Sequence, residues 1–439
     1  MIISNRIYSI YSQSHNSKTS LPEMILHTVA DVVKTLLSFY GSFGYYWIQG
    51  GSYEKCPFFR TDLHAKTFVY SMVLLHTLWN QPHYRHSSFR RDLVLNLRNV
   101  AVPGTAFPLS LLCYSRIVLF PFLMFVYPIL CAIGAFLEAW NANLGLCVKA
   151  EKWLQMFRQI LVNPQHWFGF WRLNCHLVSL HSWKYSTKNY RMENKWDFLE
   201  QCAQENIAVT PFLNTPKTLV VKDRNEEGGL GIFFYQNAVH GGDWILQEKL
   251  ENSKFIGSLL PKNAPLSTFR IITASKCGLP DQNVFNGDNS IKALSCVFRA
   301  GLNDAPTDHK SIMFDVDMET GEILKGSTTT HWYKIGIQHL FKGPFSREHD
   351  IIAHPDTGTV ITGECIKEMN EMKALVLKAH QTLMKDVPLC GWDVALTDKG
   401  AVLLEVNISC NFFRGTFDQK WYFELVDGYF TNCEKKKML

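Results

Sequence analysis

The chain has 439 residues, with 44 lysines and arginines against 39 aspartates and glutamates and 12 cysteines. This length accommodates two or three domains, and the cysteines lack CxxC or metal-type spacing, which argues against a disulfide framework and for a reducing compartment. The net charge of +5 is concentrated in the first 200 residues. A basic first half with apolar segments indicates an anionic membrane surface as partner, and the absence of a clustered basic stripe or finger motif argues against nucleic acid.

The amino terminus lacks a long apolar stretch, so no ordinary secretory signal is predicted there. Residues 21–40, LPEMILHTVADVVKTLLSFY, have apolar side chains at helical spacing. The predicted apolar face contains Ile25, Val29, Val32, Val33, Leu36 and Leu37. We expect an amphipathic helix that either packs in a core or lies on a membrane.

Residues 106–137 form the most apolar segment, and its last 21 residues, 117–137, carry no charge. About 20 apolar residues suffice to cross a bilayer. Pro121 and Pro128 each interrupt a helical hydrogen bond, which complicates a single straight span. We expect the segment to enter the membrane as a hairpin or as a single span, and a buried core helix is the alternative. The preceding flank carries Arg85, Arg90, Arg91 and Arg98. These arginines hold that flank in the cytosol, and we expect both ends of the segment to face the cytosol.

The rest of the chain divides into segments with different residue patterns. Residues 1–105 are predicted to be a helical region, and residues 138–189 a helical connector after the apolar segment. From about Tyr190, strand-like runs, glycine turns and acidic residues alternate. Residues 190–439 are therefore predicted to be an α+β domain.

The first chemical signal in that domain is a short strand that ends at Lys222 and precedes the glycine-rich sequence EEGGLG. Gly228, Gly229 and Gly231 let backbone N–H groups approach phosphate closely, and Lys222 adds a positive charge. A second strand follows from residue 232. An ordinary tight turn explains the same pattern.

The sequence WILQEKL, residues 244–250, predicts an apolar strand that runs into a polar linker. The backbone of Gln247 and Leu250 can offer one acceptor and one donor to an adenine edge, and a plain strand end is the alternative. Further on, Arg270 lies in the predicted strand 267–273, where a charge is costly unless it is paired. An acidic neighbour or a phosphate would pair it, and Arg299 repeats this situation.

The stretch 390–410, CGWDVALTDKGAVLLEVNISC, predicts a β-hairpin around the turn residues 397–400. Glu405 and Asn407 share one strand face because they are two residues apart. A turn centred near Lys399 sets Asp393 opposite Glu405. Three oxygen-bearing side chains then converge on one patch, which suits Mg²⁺, although polar residues on a half-buried hairpin facing solvent would look the same.

The order of Lys222, the glycine loop, QEKL, STFR, GWDVALT and LLEVN resembles the ATP-grasp superfamily, most closely its sugar-transfer associated branch. MENKWDFLEQCAQENIAVTPF, DVDMETGEI and HPDTGTVITGECI are similar to that branch as well. The resemblance covers residues 190–412. It implies an ATP cleft between two α+β lobes. The chain departs from the family in that Lys195 and Lys222 are closer in sequence than in many ATP-grasp enzymes, which indicates a small covering lobe.

By this resemblance, Lys195 and Lys222 would contact phosphates together with the glycine loop, and Gln247, Glu248 and Leu250 would hold adenine. Asp393, Glu405 and Asn407 would hold Mg²⁺ or Mn²⁺, and Arg270 would stabilise the transferring phosphoryl group.

The implied activity is that of an ATP-dependent ligase joining a carboxylate to an amine or thiol through an acyl phosphate. Its implied context is glycan or cell-surface polymer modification at a membrane, with the catalytic domain in the cytosol. An ATP-grasp kinase acting on a hydroxyl and an inactive nucleotide-binding scaffold are the alternatives.

Overall fold

The computed structural model describes residues 21–73, 101–102, 107–108, 121–140, 145–162, 167–185, 188–214, 218–225, 230–279, 290–308, 311–328, 351–408, 410 and 415–435. This part of the chain is a mixed α+β structure with antiparallel sheets, which confirms the predicted fold class at that level.

The α-helices are α1 (Leu21–Phe43), α2 (Leu63–Val73), α3 (Tyr127–Trp140), α4 (Leu146–Val162), α5 (Trp167–Tyr185), α6 (Lys195–Gln204), α7 (Lys254–Leu259), α8 (Met369–Leu383) and α9 (Gln419–Lys435). The π-helical turns Gly44–Ile48 and Phe122–Val126 follow α1 and precede α3. The strands are β1 (Ala101–Val102), β2 (Phe107–Pro108), β3 (Thr218–Lys222), β4 (Ile232–Gln236), β5 (Thr268–Ser275), β6 (Ile291–Gly301), β7 (Ser311–Val316), β8 (Ile323–Thr328), β9 (Leu389–Thr397) and β10 (Gly400–Asn407).

The centre of the molecule is a six-stranded sheet in the order β10–β9–β5–β6–β7–β8, with antiparallel pairing throughout. Its middle strands β5, β6 and β9 are largely buried on both faces, and every residue of β5 is buried. Such strands need cover on both sides. Any polar side chain within them must find a partner inside the protein.

Helices α6 and α8 cover one face of this sheet. Phe198 of α6 and Met372 of α8 pack with Phe269 and Trp392 of the strands. Asn194 caps α6 by accepting hydrogen bonds from two backbone N–H groups of its first turn, as expected for an N-cap asparagine.

Helices from both ends of the chain cover part of the other face. Ile272 and Leu389 of the sheet join one apolar cluster with Tyr422 of α9 and with residues of α1 to α5. The buried Asn174 of α5 donates to the backbone oxygen of Cys410 at 2.8 Å and accepts from the Tyr422 hydroxyl at 2.6 Å. The helical layer is thereby tied to the chain just after β10, and the remainder of this sheet face is left for a cleft.

The predicted helix at 21–40 is confirmed as α1, which extends to Phe43. Its predicted apolar face is divided between two environments. Val32 and Leu36 pack against the core, whereas Val29, Val33 and Leu37 are exposed. Among the described helices, α2 and α4 pack against α1, and they cover only part of the predicted face. The side chain of Ile25 lies outside the described residues.

The apolar segment 106–137 is described only in part, because residues 106 and 109–120 and the arginines before it fall outside the described residues. From residue 121 it is helical through the π turn and α3. One side packs inside the protein, where the Tyr127 hydroxyl donates to the backbone oxygen of Ile160 at 2.8 Å. In the part of the chain that the structure describes, no helix is both long and apolar enough to cross a bilayer.

The hairpin at 390–410 is confirmed as β9 and β10, joined by a turn in which Thr397 pairs with Gly400. Gly400 has φ of 108°, a value that L side chains rarely adopt, so glycine is needed there. Asp393 lies opposite Glu405 as predicted, with one register shift between Leu403 and Glu405.

The strand prediction for residues 244–250 is wrong. This segment is extended but forms only isolated bridges, Trp244 with Asn237 and Gln247 with Phe212. Its backbone forms single hydrogen bonds with the chain before β3 instead, since Glu248 N–H donates to the oxygen of Pro211 at 2.9 Å. The two strands around the glycine loop are confirmed as the isolated hairpin β3–β4.

A buried histidine under the sheet gives a testable pH dependence. His380 of α8 is fully buried, with Nδ1 2.7 Å from the Thr273 hydroxyl and Nε2 3.0 Å from the backbone oxygen of Val387. Burial lowers the pKa of His380 from 6.5 to about 4. The unfolded chain therefore takes up a proton near pH 6.5, whereas the folded chain stays neutral to about pH 4.

We predict that, as the pH falls from 6.5 to 4, protonation of His380 in the unfolded chain lowers the free energy of unfolding by about 3 kcal/mol. The measurement is urea unfolding across that range for wild type and His380→Gln, because glutamine does not titrate there. The variant should show a shallower loss of stability towards pH 4. Parallel curves for the two proteins would contradict the assignment.

Candidate active site

A cleft of about 1360 Å³ opens on the face of the sheet that the helical layer leaves uncovered. Its lining contains most of the residues predicted for a nucleotide site, namely Lys195, Gln247, Glu248, Leu250, Arg270, Asp393, Glu405 and Asn407. The structure therefore brings together eight predicted side chains that are spread over more than 200 residues of sequence.

The floor of the cleft is a buried charge network on three adjacent strands. Arg270 of β5 lies in register with Asp393 of β9, and both its Nε and its Nη2 contact the Asp393 carboxylate, the latter at 3.1 Å. Arg299 of β6 adds a contact from its Nη2 to Asp393 Oδ2 at 2.7 Å. The exposed fractions of the three side chains are 10%, 8% and 10%. The arginine that the sequence marked as needing a partner has an acidic neighbour.

The charges around Asp393 determine its protonation state. Burial alone would raise the pKa of Asp393, but the positive charges of Arg270 and Arg299 outweigh burial and hold that pKa below its ordinary value. Asp393 is therefore ionised at neutral pH. Two carboxylates face the two guanidinium groups, Asp393 beside both arginines and Asp308 beside Arg299, so the charges at the floor of the cleft are balanced.

Asp308 and Thr268 extend the network and were missed by sequence reasoning. Arg299 Nε lies 3.3 Å from Asp308 Oδ2 and donates to the Thr268 hydroxyl at 2.9 Å. The Thr268 hydroxyl in turn donates to Asp308. Their only signal was proximity to other features, since Thr268 starts the strand of Arg270 and Asp308 follows the strand of Arg299.

The rim beside this floor is formed by Lys195, Glu405 and Asn407. Lys195 Nζ lies 2.9 Å from Glu405 Oε2, and Asn407 Nδ2 donates to Glu405 Oε1 at 3.3 Å. Lys195 is the first residue of α6, which positions its side chain towards β10. It is 67% exposed, and Glu405 is 28% exposed, so a ligand in the cleft could replace this ion pair at low cost.

The opposite wall contains the segment 247–250, whose Gln247, Glu248 and Leu250 all line the cleft. Lys222 and Gly231 lie on the β3–β4 hairpin and are not among the lining residues. Gly231 has φ of 63°, which favours glycine. Gly228 and Gly229 fall outside the described residues. Lys249, Lys262 and Asn252 line the cleft as well and were not predicted.

The three residues predicted to hold Mg²⁺ differ in how well they fit it. Among the described residues there is no group of three or more histidine, cysteine, aspartate or glutamate side chains that could hold a metal. Glu405 and Asn407 offer oxygen atoms at an exposed rim, which suits Mg²⁺ with waters and phosphates as further ligands. Both Asp393 oxygens are engaged by buried guanidinium groups, so Asp393 fits an ion less well than a counter-ion role.

No protein-family model matches the chain, and no curated protein sequence matches it.

Proposed function

We propose that the cleft binds ATP with Mg²⁺ and transfers the γ-phosphoryl group to a substrate carboxylate, after which an amine or a thiol displaces phosphate. The observation that carries this proposal is the floor, where two arginines lie side by side under a cleft whose rim holds a lysine, a carboxylate and an amide. Preorganised guanidinium groups of this kind can stabilise a phosphoryl group in transfer.

In the first step, a carboxylate oxygen of the substrate attacks the γ-phosphorus, and the bond to the β–γ bridging oxygen breaks to release ADP. In the second step, the amine nitrogen or thiol sulfur attacks the acyl carbon, phosphate leaves with the electron pair, and the nucleophile gives its proton to solvent. Arg270 and Arg299 would orient the γ-phosphoryl group. Lys195 would leave its ion pair with Glu405 and would pair with phosphate oxygens instead.

Glu405 and Asn407 would hold Mg²⁺, which neutralises phosphate charge when it is bound. Gln247, Glu248 and Leu250 form the wall that would receive adenine. This assignment follows the ATP-grasp resemblance of residues 190–412, in which the β3–β4 hairpin would serve as a small covering lobe. Lys222 and the glycine loop would reach the phosphates by movement of this hairpin over the cleft.

A hydroxyl acceptor would make the same cleft a kinase, and a nucleotide bound without turnover would make it a scaffold. Phosphate release that depends on both a carboxylate and an amine separates the ligase from both. We also propose that the protein works at a membrane with this cleft in the cytosol, where ATP and Mg²⁺ are supplied.

Two variants test the ATP assignment before any acceptor is known. Arg270→Lys keeps the charge but loses the two-pronged contact with Asp393, and we expect turnover to fall about 100-fold with a smaller loss of ATP affinity. Lys222→Ala should weaken ATP affinity several-fold. The measurements are calorimetric ATP binding and the slow ADP production in which water takes the γ-phosphoryl group in place of the carboxylate.

The control is Lys399→Ala, which removes an exposed lysine from the β9–β10 turn and should change neither value. If Arg270→Lys and Lys222→Ala both retained the affinity and rate of the wild type, the nucleotide cleft would be ruled out.

A further inference from the structure

The geometry of α3 points to a lipid-binding surface: we propose that the exposed side of residues 121–140 lies flat on an anionic membrane. This inference extends the membrane part of the proposed function and identifies the surface that makes the contact. It concerns a part of the molecule separate from the cleft, because none of these residues lines it.

The exposed side of this helix is a continuous apolar stripe. It consists of Phe125, Val126, Ile129, Ile133, Phe136 and Trp140, all exposed in the structure. The spacing of three or four residues sets these side chains along one face of the helix. Twenty helical residues are about 30 Å long. Contiguous exposed apolar surface of this kind marks an interaction site rather than an ordinary surface.

The other side of the same helix is committed to the protein. Leu123, Tyr127, Cys131 and Ala135 are buried, and the Trp153 indole of α4 donates to the backbone oxygen of Ala132 at 3.1 Å. The helix is therefore amphipathic in its surroundings although not in its sequence. For this reason the sequence alone predicted a segment inserted in a membrane, whereas in the folded protein one side of the helix is buried and the other side is exposed.

The charges around the stripe favour lipid headgroups as the occupant. Lys149 of α4 lies over the Trp140 ring, with Nζ 4.8 Å from the ring centroid, and donates to the Trp140 backbone oxygen at 3.3 Å. A tryptophan beneath a lysine at the end of an apolar stripe suits the boundary between acyl chains and headgroups. Helix α4, which packs against α3, carries three lysines and arginines against one glutamate, and α3 itself carries Glu138. The two helices together have a net charge of +1, a sign that complements an anionic surface.

A second copy of the chain is a poorer occupant than a membrane. In a two-fold dimer the same patch meets itself, so this basic region would face its own positive charge. Helix α1 adds exposed apolar residues at Leu26, Val29, Val33 and Leu37. It approaches the π turn before α3 through a hydrogen bond from the Tyr40 hydroxyl to the Met124 backbone oxygen at 2.8 Å.

The test is co-flotation of the full chain with vesicles of phosphatidylcholine alone or with one third phosphatidylserine. The variant is the pair Ile129→Asp and Phe136→Asp, at positions 61% and 51% exposed. The matched control is Ile352→Asp with Val360→Asp, which makes the same charge change at positions 56% and 57% exposed away from this helix. We expect the wild type and the control to bind the anionic vesicles, and the variant to bind about ten-fold less.

Circular dichroism and ATP binding accompany each sample. If the aspartate pair prevents folding, Phe125→Ser with Phe136→Ser replaces it, because serine removes apolar area without adding charge. Equal flotation of variant and control would overturn the proposal, as would a wild type that binds neither vesicle. A dimer in light scattering that the variant converts to monomer would also overturn it. Vesicle binding without any ATP binding would contradict the proposed function of the cleft and would leave the lipid-surface proposal intact.

Discussion

Replacing Glu405 by glutamine is expected to lower ATP turnover at least about 100-fold while leaving the fold intact. Glu405 is the exposed carboxylate of the rim, with one oxygen 2.9 Å from Lys195 Nζ and the other accepting from Asn407. In the proposed function it is the anionic ligand of Mg²⁺. Glutamine keeps its shape and its hydrogen bond from Asn407 but removes the charge, so the affinity for Mg²⁺ with ATP should fall.

The measurement is ADP production against Mg²⁺ concentration, with unfolding in urea as the check of the fold. Because the Lys195–Glu405 pair is solvent-accessible, its loss should change the free energy of unfolding by less than about 1 kcal/mol.

Glu319→Gln is a close control, since Glu319 also pairs with a lysine, Lys373, at 2.7 Å but lies outside the cleft. It should have wild-type turnover. Equal rates for Glu405→Gln and the wild type in a folded protein would remove the metal assignment.

The features that the sequence predicted well are those fixed by short-range pattern. The hairpin at 390–410 was predictable because turn residues separate two apolar runs, and alternation along a strand then places Asp393 opposite Glu405. The statement that Arg270 needs a partner also followed from local physics, since the apolar residues around it predict a strand in which a charge is costly unless it is paired.

The features that the sequence did not predict depend on what lies beside them in three dimensions. The contact between Arg299 and Asp393 requires knowing that β6 is the neighbour of β5 in the sheet. Likewise, the sequence gives α1 one apolar face, but only the position of its neighbours decides that Leu36 packs and Leu37 is exposed. The missed residue Asp308 belongs to the same class, because nothing near it in sequence shows that it faces an arginine.

Neutralising Asp393 is expected to have the largest effect on stability. Asp393→Asn removes the carboxylate that contacts both buried guanidinium groups, and it leaves Arg299 paired with Asp308 alone. Leaving buried charges without their partner costs about 3–5 kcal/mol. Its pKa is below the ordinary value, so the stabilisation by Asp393 is present at neutral pH and is lost as the pH falls through that lowered pKa.

This change also separates two roles for Asp393. If it serves mainly as a metal ligand, its neutralisation in the absence of Mg²⁺ and ATP should leave stability unchanged or raise it, whereas a counter-ion is needed under all conditions. The experiment is urea unfolding of Asp393→Asn and wild type in buffer with EDTA. Asp315→Asn is the control, because Asp315 is equally buried but accepts its hydrogen bonds from the backbone and hydroxyl of Thr416, a neutral partner, and burial raises its pKa. We expect the control to cost about 1 kcal/mol or less and Asp393→Asn to cost several times more, which would identify Asp393 as the residue that holds both arginines under the cleft. If the two variants lost the same free energy of unfolding, Asp393 would be assigned to the metal site instead.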